Sequence, residues 1–409
     1  MAQSARQSSP ESTASPRYFI RLRHPSQMAA LAPMATEAST YRSKSHADIL
    51  IAQLRPQDIE KLNKAEVEVI ASTRYEPLQQ QRRVQTPLDS QPFSLTDVLA
   101  HTRASEAWAV SRGAGVNIAM VDTGICGTMP EFAGAKKSQF RWPVPSTGQA
   151  DPWTDQVGHG SMTGAIAAGT TASGGRYNGV APDSPIIACK SSFDDTELYQ
   201  IYDYLIQLVD SQKIGRLVVN NSYGSYVCAA PSVARGDPFP SIVSLAVSKG
   251  IVVVFAAGNN HVVVCGNDPT QCSPNTIWGT NSMDEVLSIG TVNRDNRMDQ
   301  PPAKVGEYTH RDSSRGPGQL AQSFTKPDCV APTYGEVMWG CGYSPMEWWG
   351  TSGAAPQVAG LAALMLAKNP ALTPAQIQTI IRQTCVNIGL PPSCAGAGLI
   401  DCLAAVTAA

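Results

Sequence analysis

The chain has 409 residues, 43% of them hydrophobic and 16% charged, with a net charge of -2. That length suits one large domain beside a smaller one, and the composition can fill a sizeable core. The near-neutral charge gives no footing for nucleic acid or an anionic membrane surface, and no apolar run reaches the ~18 residues that a membrane span needs.

In chain order, residues 1–16 are polar, lack the apolar stretch of a signal peptide and read as a disordered tail. Residues 17–79 form a block of their own. YFIRLR (18–23) alternates like a strand, and ILIAQL (49–54) is a second apolar strand. RPQDIEKLNKA (55–65) reads as a short helix, with Pro56 in its first turn and Ile59 and Leu62 on one face. EVEVIAS (66–72) alternates again, so the block is a small α+β domain. Residues 80–96 are polar and begin Gln-rich, as an exposed linker would.

From residue 97 the pattern changes. VNIAMVD (116–122), PIIAC (185–189), RLVVNNS (216–222), GIVVVFAAG (250–258) and EVLSIGTV (285–292) are continuous apolar runs. Strands covered on both faces read that way, as in parallel sheets. Helical segments at 197–211 and 240–249 lie between them, which predicts an α/β sandwich. Two more helices follow, over 354–369 and from Thr373, a good N-cap before Pro374.

Four polar residues stand out against this apolar ground. Asp122 closes an apolar strand, and ligands of open α/β sheets bind at the carboxyl ends of strands. A carboxylate there can hold an imidazole in one tautomer, although Asp before Thr-Gly is also an ordinary turn. His159 is flanked by Gly158 and Gly160, which leave room for its ring to reach a reaction centre; a lone histidine is equally a plain polar residue. Ser352 sits in a Gly-Thr-Ser-Gly turn running into an Ala-rich helix, near unpaired N–H donors; an N-cap serine reads the same way. Asn259 ends another buried strand, where its amide could bind a developing oxyanion or simply close a turn.

There are ten cysteines. Cys265 and Cys272 bracket one short loop and Cys385 and Cys394 another, so these are candidate disulfides of an oxidising compartment, with reduced buried thiols the alternative. Cys126, four residues past Asp122, is either a buried small residue or a thiol near the site. No CxxC pair occurs, which argues against structural zinc.

Taken together the segments resemble a known family. VDTG (121–124), GHGS (158–161) and GTSGAAP (350–356) look like the three signatures of the subtilisin family of serine proteases, and AAGN (256–259) resembles its oxyanion-hole segment. The order Asp, His, Ser is subtilisin's, not that of chymotrypsin or the α/β-hydrolases. The resemblance, over roughly 97–409, implies a three-layer α/β sandwich on a central parallel sheet. It implies a serine endopeptidase with Asp122, His159 and Ser352 as triad and Asn259 in the oxyanion hole. NNSYGS (220–225) resembles the strand lining the substrate cleft. Ser222, Tyr223 and Gly224, with Ala257 and Gly258, would then contact polypeptide substrates. Block 17–79 resembles the family's ferredoxin-like propeptide, an inhibitor and folding chaperone, and implies a zymogen cut between about 76 and 96. A maturation protease or peptide ligase would use the same acyl-enzyme. No cofactor is implied, though calcium often stabilises the family and Glu131 sits where an acidic ligand is common. The expected protein is a monomer whose partners are polypeptide substrates and its own propeptide. The cysteines and propeptide favour secretion; the missing signal peptide leaves the cytoplasm open. Departures from the family pattern are Gly353 after the serine, where Met is usual, and Met162 in place of a second histidine.

Overall fold

The computed structural model describes residues 16–24, 27–31, 40–64, 67–77, 93–143, 151–302, 304 and 306–409. The tail expected over 1–16 and the linker expected over 80–96 fall mostly outside the described residues. The chain divides into two units, Met1–Thr73 and Arg74–Ala409.

The first unit runs β1 (Arg17–Arg21), α1 (Met28–Leu31), β2 (Thr40–Arg42), β3 (Ile49–Gln53), α2 (Pro56–Lys64) and β4 (Glu68–Ala71). Its sheet is antiparallel in the order β2-β3-β1-β4, with Phe19 of β1 opposite Ile51 of β3 and Ile70 of β4. This βαββαβ order is the ferredoxin-like arrangement. Ile20, Leu50, Leu54, Leu62 and Val67 form its buried core. β2 and α1 went unread in the sequence because three or four residues are too few to carry a period.

The second unit opens with β5 (Glu76–Pro77), α3 (Leu95–His101) and α4 (Ala104–Ala107). β6 (Val116–Asp122), α5 (His159–Ala168), β7 (Ile186–Lys190), α6 (Asp195–Asp210), β8 (Arg216–Asn221) and β9 (Tyr223–Gly224) follow. Then come α7 (Pro238–Ser248), β10 (Val252–Ala256), β11 (Leu287–Val292), β12 (Cys329–Pro332), β13 (Gly335–Trp339), β14 (Gly342–Met346), α8 (Gly350–Lys368) and α9 (Pro374–Thr384). Six strands make a parallel sheet in the order β12-β11-β10-β8-β6-β7. Helices cover it, giving the expected three-layer sandwich. Side chains alternate across the sheet: Ile118 and Met120 join the core under α5 and α8, while Ala119 and Val121, also buried, face the other way. β12 was missed because its four residues end in Pro332.

α8 is buried from Gly350 through Leu366, so it is apolar all round rather than striped. Close packing demands its glycines. A Cβ on Gly360 would lie 2.6 Å from Val180 Cβ and 2.8 Å from the Ala167 carbonyl oxygen.

The disulfides are Cys126–Cys341, Cys228–Cys265 and Cys272–Cys394. Neither bracketed pair forms. Cys265 and Cys272 instead tie their loop to two different segments, and the Cys385 thiol donates to the Ile381 carbonyl at 3.2 Å. Proximity along the chain misled because a disulfide needs converging Cβ vectors, and here remote loops supply them. Among the described residues no helix is long and apolar enough to cross a membrane.

Candidate active site

The site lies past the carboxyl ends of the adjacent strands β6, β8 and β10, where Asp122, Ser222 and Asn259 follow from buried apolar runs. Asp122 Oδ1 is 2.7 Å from His159 Nδ1, and both side chains are 1% exposed. The carboxylate is held on both oxygens: Thr123 N–H donates to Oδ1 at 2.7 Å and Thr163 Oγ1–H to Oδ2 at 3.0 Å. A buried carboxylate so saturated has one orientation.

His159 is the first residue of α5. Its neighbours must be small. Gly158 caps the helix at φ 98°, and a Cβ there would meet Trp339 Nε1 at 2.6 Å. A Cβ on Gly160 would fall 2.0 Å from the Gly124 carbonyl oxygen. The Trp339 ring stands edge-on to the imidazole, 6.4 Å between centroids. Trp339 belongs to the β13–β14 hairpin, which Cys341 joins to Cys126 in the loop after Asp122. The cysteine singled out near the site is thus a disulfide partner, not a free thiol. His159 Nε2 is buried with no hydrogen-bond partner among the described residues.

Ser352 lies in the first turn of α8, fully buried. Its hydroxyl donates to the Ser222 carbonyl at 3.3 Å, and Ser222 Oγ–H donates to the Ser352 carbonyl at 3.0 Å. The helix begins at Gly350, four residues earlier than the sequence suggested. α5 and α8 pack on each other, which brings the helix starts bearing His159 and Ser352 onto one side of the sheet. The structure therefore joins Asp122 to His159 directly, while the Ser352 hydroxyl is turned to Ser222.

Asn259 is fully buried. Its Oδ1 accepts from Thr351 N–H at 3.1 Å and Thr351 Oγ1–H at 2.9 Å, which turns the amide nitrogen away from Thr351. Burial pushes the Tyr226 phenol up, and a hydrogen bond from the Asn259 side chain draws it partly back. Ala257 N–H is used by the sheet, donating to the Ile289 carbonyl at 2.9 Å. Gly258, at φ 114°, lets the chain turn against Ser314.

Ser222 follows β8, and Tyr223 and Gly224 form β9. The Tyr223 ring, however, points inward: it is fully buried against Phe255, and its hydroxyl donates to Asn221 Oδ1 at 2.9 Å. Its backbone carries β9, whose partner is β5, with Glu76 opposite Gly224 and Pro77 opposite Tyr223. Tyr75 N–H donates to the Phe193 carbonyl at 2.8 Å, and its ring packs on Tyr223 and Phe239.

Two residues were missed in the sequence. Asn281 Nδ2 donates to the carbonyls of Tyr223 and Ala256, each at 2.8 Å, pinning β9 to the end of β10. Asp155 gathers five donors beside His159. Asp155 is four residues before the histidine, and an acidic residue ahead of a helix start was a readable signal; Asn281 gave none.

Glu131, the acidic residue singled out for calcium, is bound through one oxygen to other groups. Its Oε1 accepts from Arg176 N–H at 2.7 Å and from the Tyr343 hydroxyl, and the Arg176 guanidinium lies 4.9 Å from the Tyr343 ring. These contacts satisfy Oε1, while Oε2 is buried with no hydrogen-bond partner among the described residues. Among the described residues no cluster of acidic, His or Cys side chains could hold a metal ion.

Comparison with known proteins bears on family and fold. The subtilase family model matches residues 113–398. A subtilisin of Bacillus pumilus is 30% identical over 302 residues, covering 73% of this chain and 93% of the relative. Fervidolysin from Fervidobacterium pennivorans, a keratinolytic enzyme related to subtilisin, superposes with a TM-score of 0.65 at 18% identity, over 96% of this chain and 61% of its own. MycP1 with its propeptide removed gives a TM-score of 0.53 at 24% identity, over 76% and 96%. With a buried Asp-His pair at the strand ends and a family match spanning most of its length, this chain belongs to the subtilase family and is a serine endopeptidase.

Proposed function

We propose that the protein is a self-processing endopeptidase in which Ser352 attacks the peptide carbonyl and His159 takes its proton at Nε2. Asp122 keeps the proton on Nδ1 and steadies the imidazolium that forms. The observation that carries this is the 2.7 Å Asp122–His159 pair with Nε2 left over for a substrate-side partner. The Ser352 hydroxyl, turned from Ser222 to Nε2, is the partner this reading assigns. The Asn259 amide has two hydrogens; with one directed to Tyr226, the other serves the oxyanion beside the Ser352 N–H.

The zymogen reading draws its support from residues 74–77, an extended strip between Phe193–Asp194 and β9. It lies as a substrate strand would, with backbone hydrogen bonds for affinity and a side-chain pocket for Tyr75. We take this strip as the end of the propeptide. One register step beyond the Pro77–Tyr223 pair comes Ser222, whose carbonyl touches Ser352, so the inferred cut follows Leu78. Three disulfides suit export to an oxidising compartment. N-terminal sequencing and product mass spectrometry test both parts. Wild type should mature to a chain starting at Gln79 and give hydrolysed products, while the Ser352→Ala precursor stays intact. Normal maturation of that variant would refute the assignment.

A further inference from the structure

We propose that Asp155 is a positioning residue for catalysis, setting the Asp122–His159 geometry from outside the triad. This rests on the reading of Asp122 and His159 as catalytic.

α5 has no capping side chain of its own, because its N-cap is Gly158. Asp155 takes over that task from three residues upstream. Its Oδ1 accepts from Val157 N–H at 3.0 Å, Gly158 N–H at 2.8 Å and Thr123 Oγ1–H at 3.0 Å. Its Oδ2 accepts from Ser161 N–H at 2.9 Å and Ser161 Oγ–H at 2.7 Å. A carboxylate offers about four lone-pair sites, so five donors saturate it.

The partners are what matter. Thr123 follows Asp122 directly, and its N–H donates to Asp122 Oδ1 at 2.7 Å. Thr123 Oγ1 also accepts from Gly160 N–H, the residue after His159, at 2.9 Å. Ser161 Oγ accepts from Cys126 N–H at 2.8 Å, which ties in the loop beyond Asp122. One carboxylate thereby clamps the end of β6 to the first turn of α5, across the two elements that carry the pair. Negative charge at a helix start is favourable, and donors to an ionised acceptor make the strong class of hydrogen bond. Removing it leaves the pair with its own 2.7 Å contact but without the frame that aligns it.

The test compares wild type with Asp155→Ala, Asp155→Asn and Thr123→Val. Turnover is normalised to sites titrated by a fluorophosphonate, and kcat, KM and the acid limb of kcat/KM are read with a peptide substrate. Asp155→Ala should lower kcat about 10- to 100-fold, the scale of a small misplacement of reacting groups, with KM within about twofold. Its acid limb should move to lower pH, because a loosened Asp122 steadies the imidazolium less. Asp155→Asn should recover part of the loss, since its carbonyl oxygen can serve Thr123, Val157 and Gly158 while its amide faces Ser161. Thr123→Val should shift the limb the same way and combine with Asp155→Asn less than additively. If Asp155→Ala fails to fold, the Asn and Val variants decide the matter by the same readouts. Variants that melt earlier yet keep kcat and the acid limb of wild type would overturn the proposal and leave Asp155 a stability residue. Asp122→Ala, measured alongside, separates the two ideas: wild-type turnover there would refute the triad itself rather than the role of Asp155.

Discussion

The two halves of the site are held in different ways. On the histidine side, Asp122, Thr123, Asp155, Ser161 and Thr163 form a continuous polar network, and Cys126–Cys341 fixes the hairpin beside the imidazole. On the serine side the helix is seated largely by packing, Gly353 against Thr333 and Gly360 against Val180, with polar bonds from Ser222, Thr351 and Gln357. The difference follows from the groups. An imidazole must be fixed in tautomer and plane, which takes directional bonds. A hydroxyl is a rotor, so its helix needs only to be in the right place, and close packing does that.

Perturbing each side should therefore give different signatures. The largest effect falls on the proposed nucleophile: Ser352→Ala should reduce turnover by about 10⁴-fold or more while leaving the melting temperature near wild type, read by peptide hydrolysis and calorimetry. Next, Asn259→Ala should cost about 10²–10³ in kcat with little change in KM, as loss of a similar donor does in subtilisin, a relative. Opening Cys126–Cys341 by a double Ser substitution should cost about 2–5 kcal/mol in urea unfolding, and it should lower kcat as well because the hairpin carries Trp339. Loss of stability without loss of kcat would separate that hairpin from the histidine side. Gly360→Ala, on the serine side but two turns below Ser352, should cost about 1–3 kcal/mol by overpacking with kcat per titrated site unchanged.

The smallest effect is in pH. Burial lowers His261, and further Arg315 does so by repulsion, to about 4; burial likewise lowers His310 to about 4. Both bind a proton more readily when unfolded, so the stability they contribute is complete above pH 6.5 and is lost as pH falls towards 4. Burial raises Asp312 to about 6, which acts in the opposite sense over an overlapping window, with stability lost as pH rises through 6. Two histidines against one carboxylate predict a net fall in melting temperature between pH 6.5 and 4. His310→Gln, which keeps a donor for the Thr333 carbonyl, should flatten that fall.

Local chemistry alone determined a great deal here. Continuous apolar runs marked five of the six parallel strands, because strands buried on both faces cannot alternate. Glycines around His159 and the apolar helix after Ser352 were legible because steric room and burial are written residue by residue. What tertiary structure decided is pairing at a distance. It chose which cysteines meet, turned the Tyr223 ring inward to leave only its backbone on the edge, and gave one oxygen of Glu131 to Tyr343 and Arg176. It also set Asp155 and Asn281 where they serve strands far along the chain. Such contacts depend on directions that only the folded backbone supplies; the place of Asp155 ahead of a helix start hinted at a cap, but nothing in the spacing named its partners.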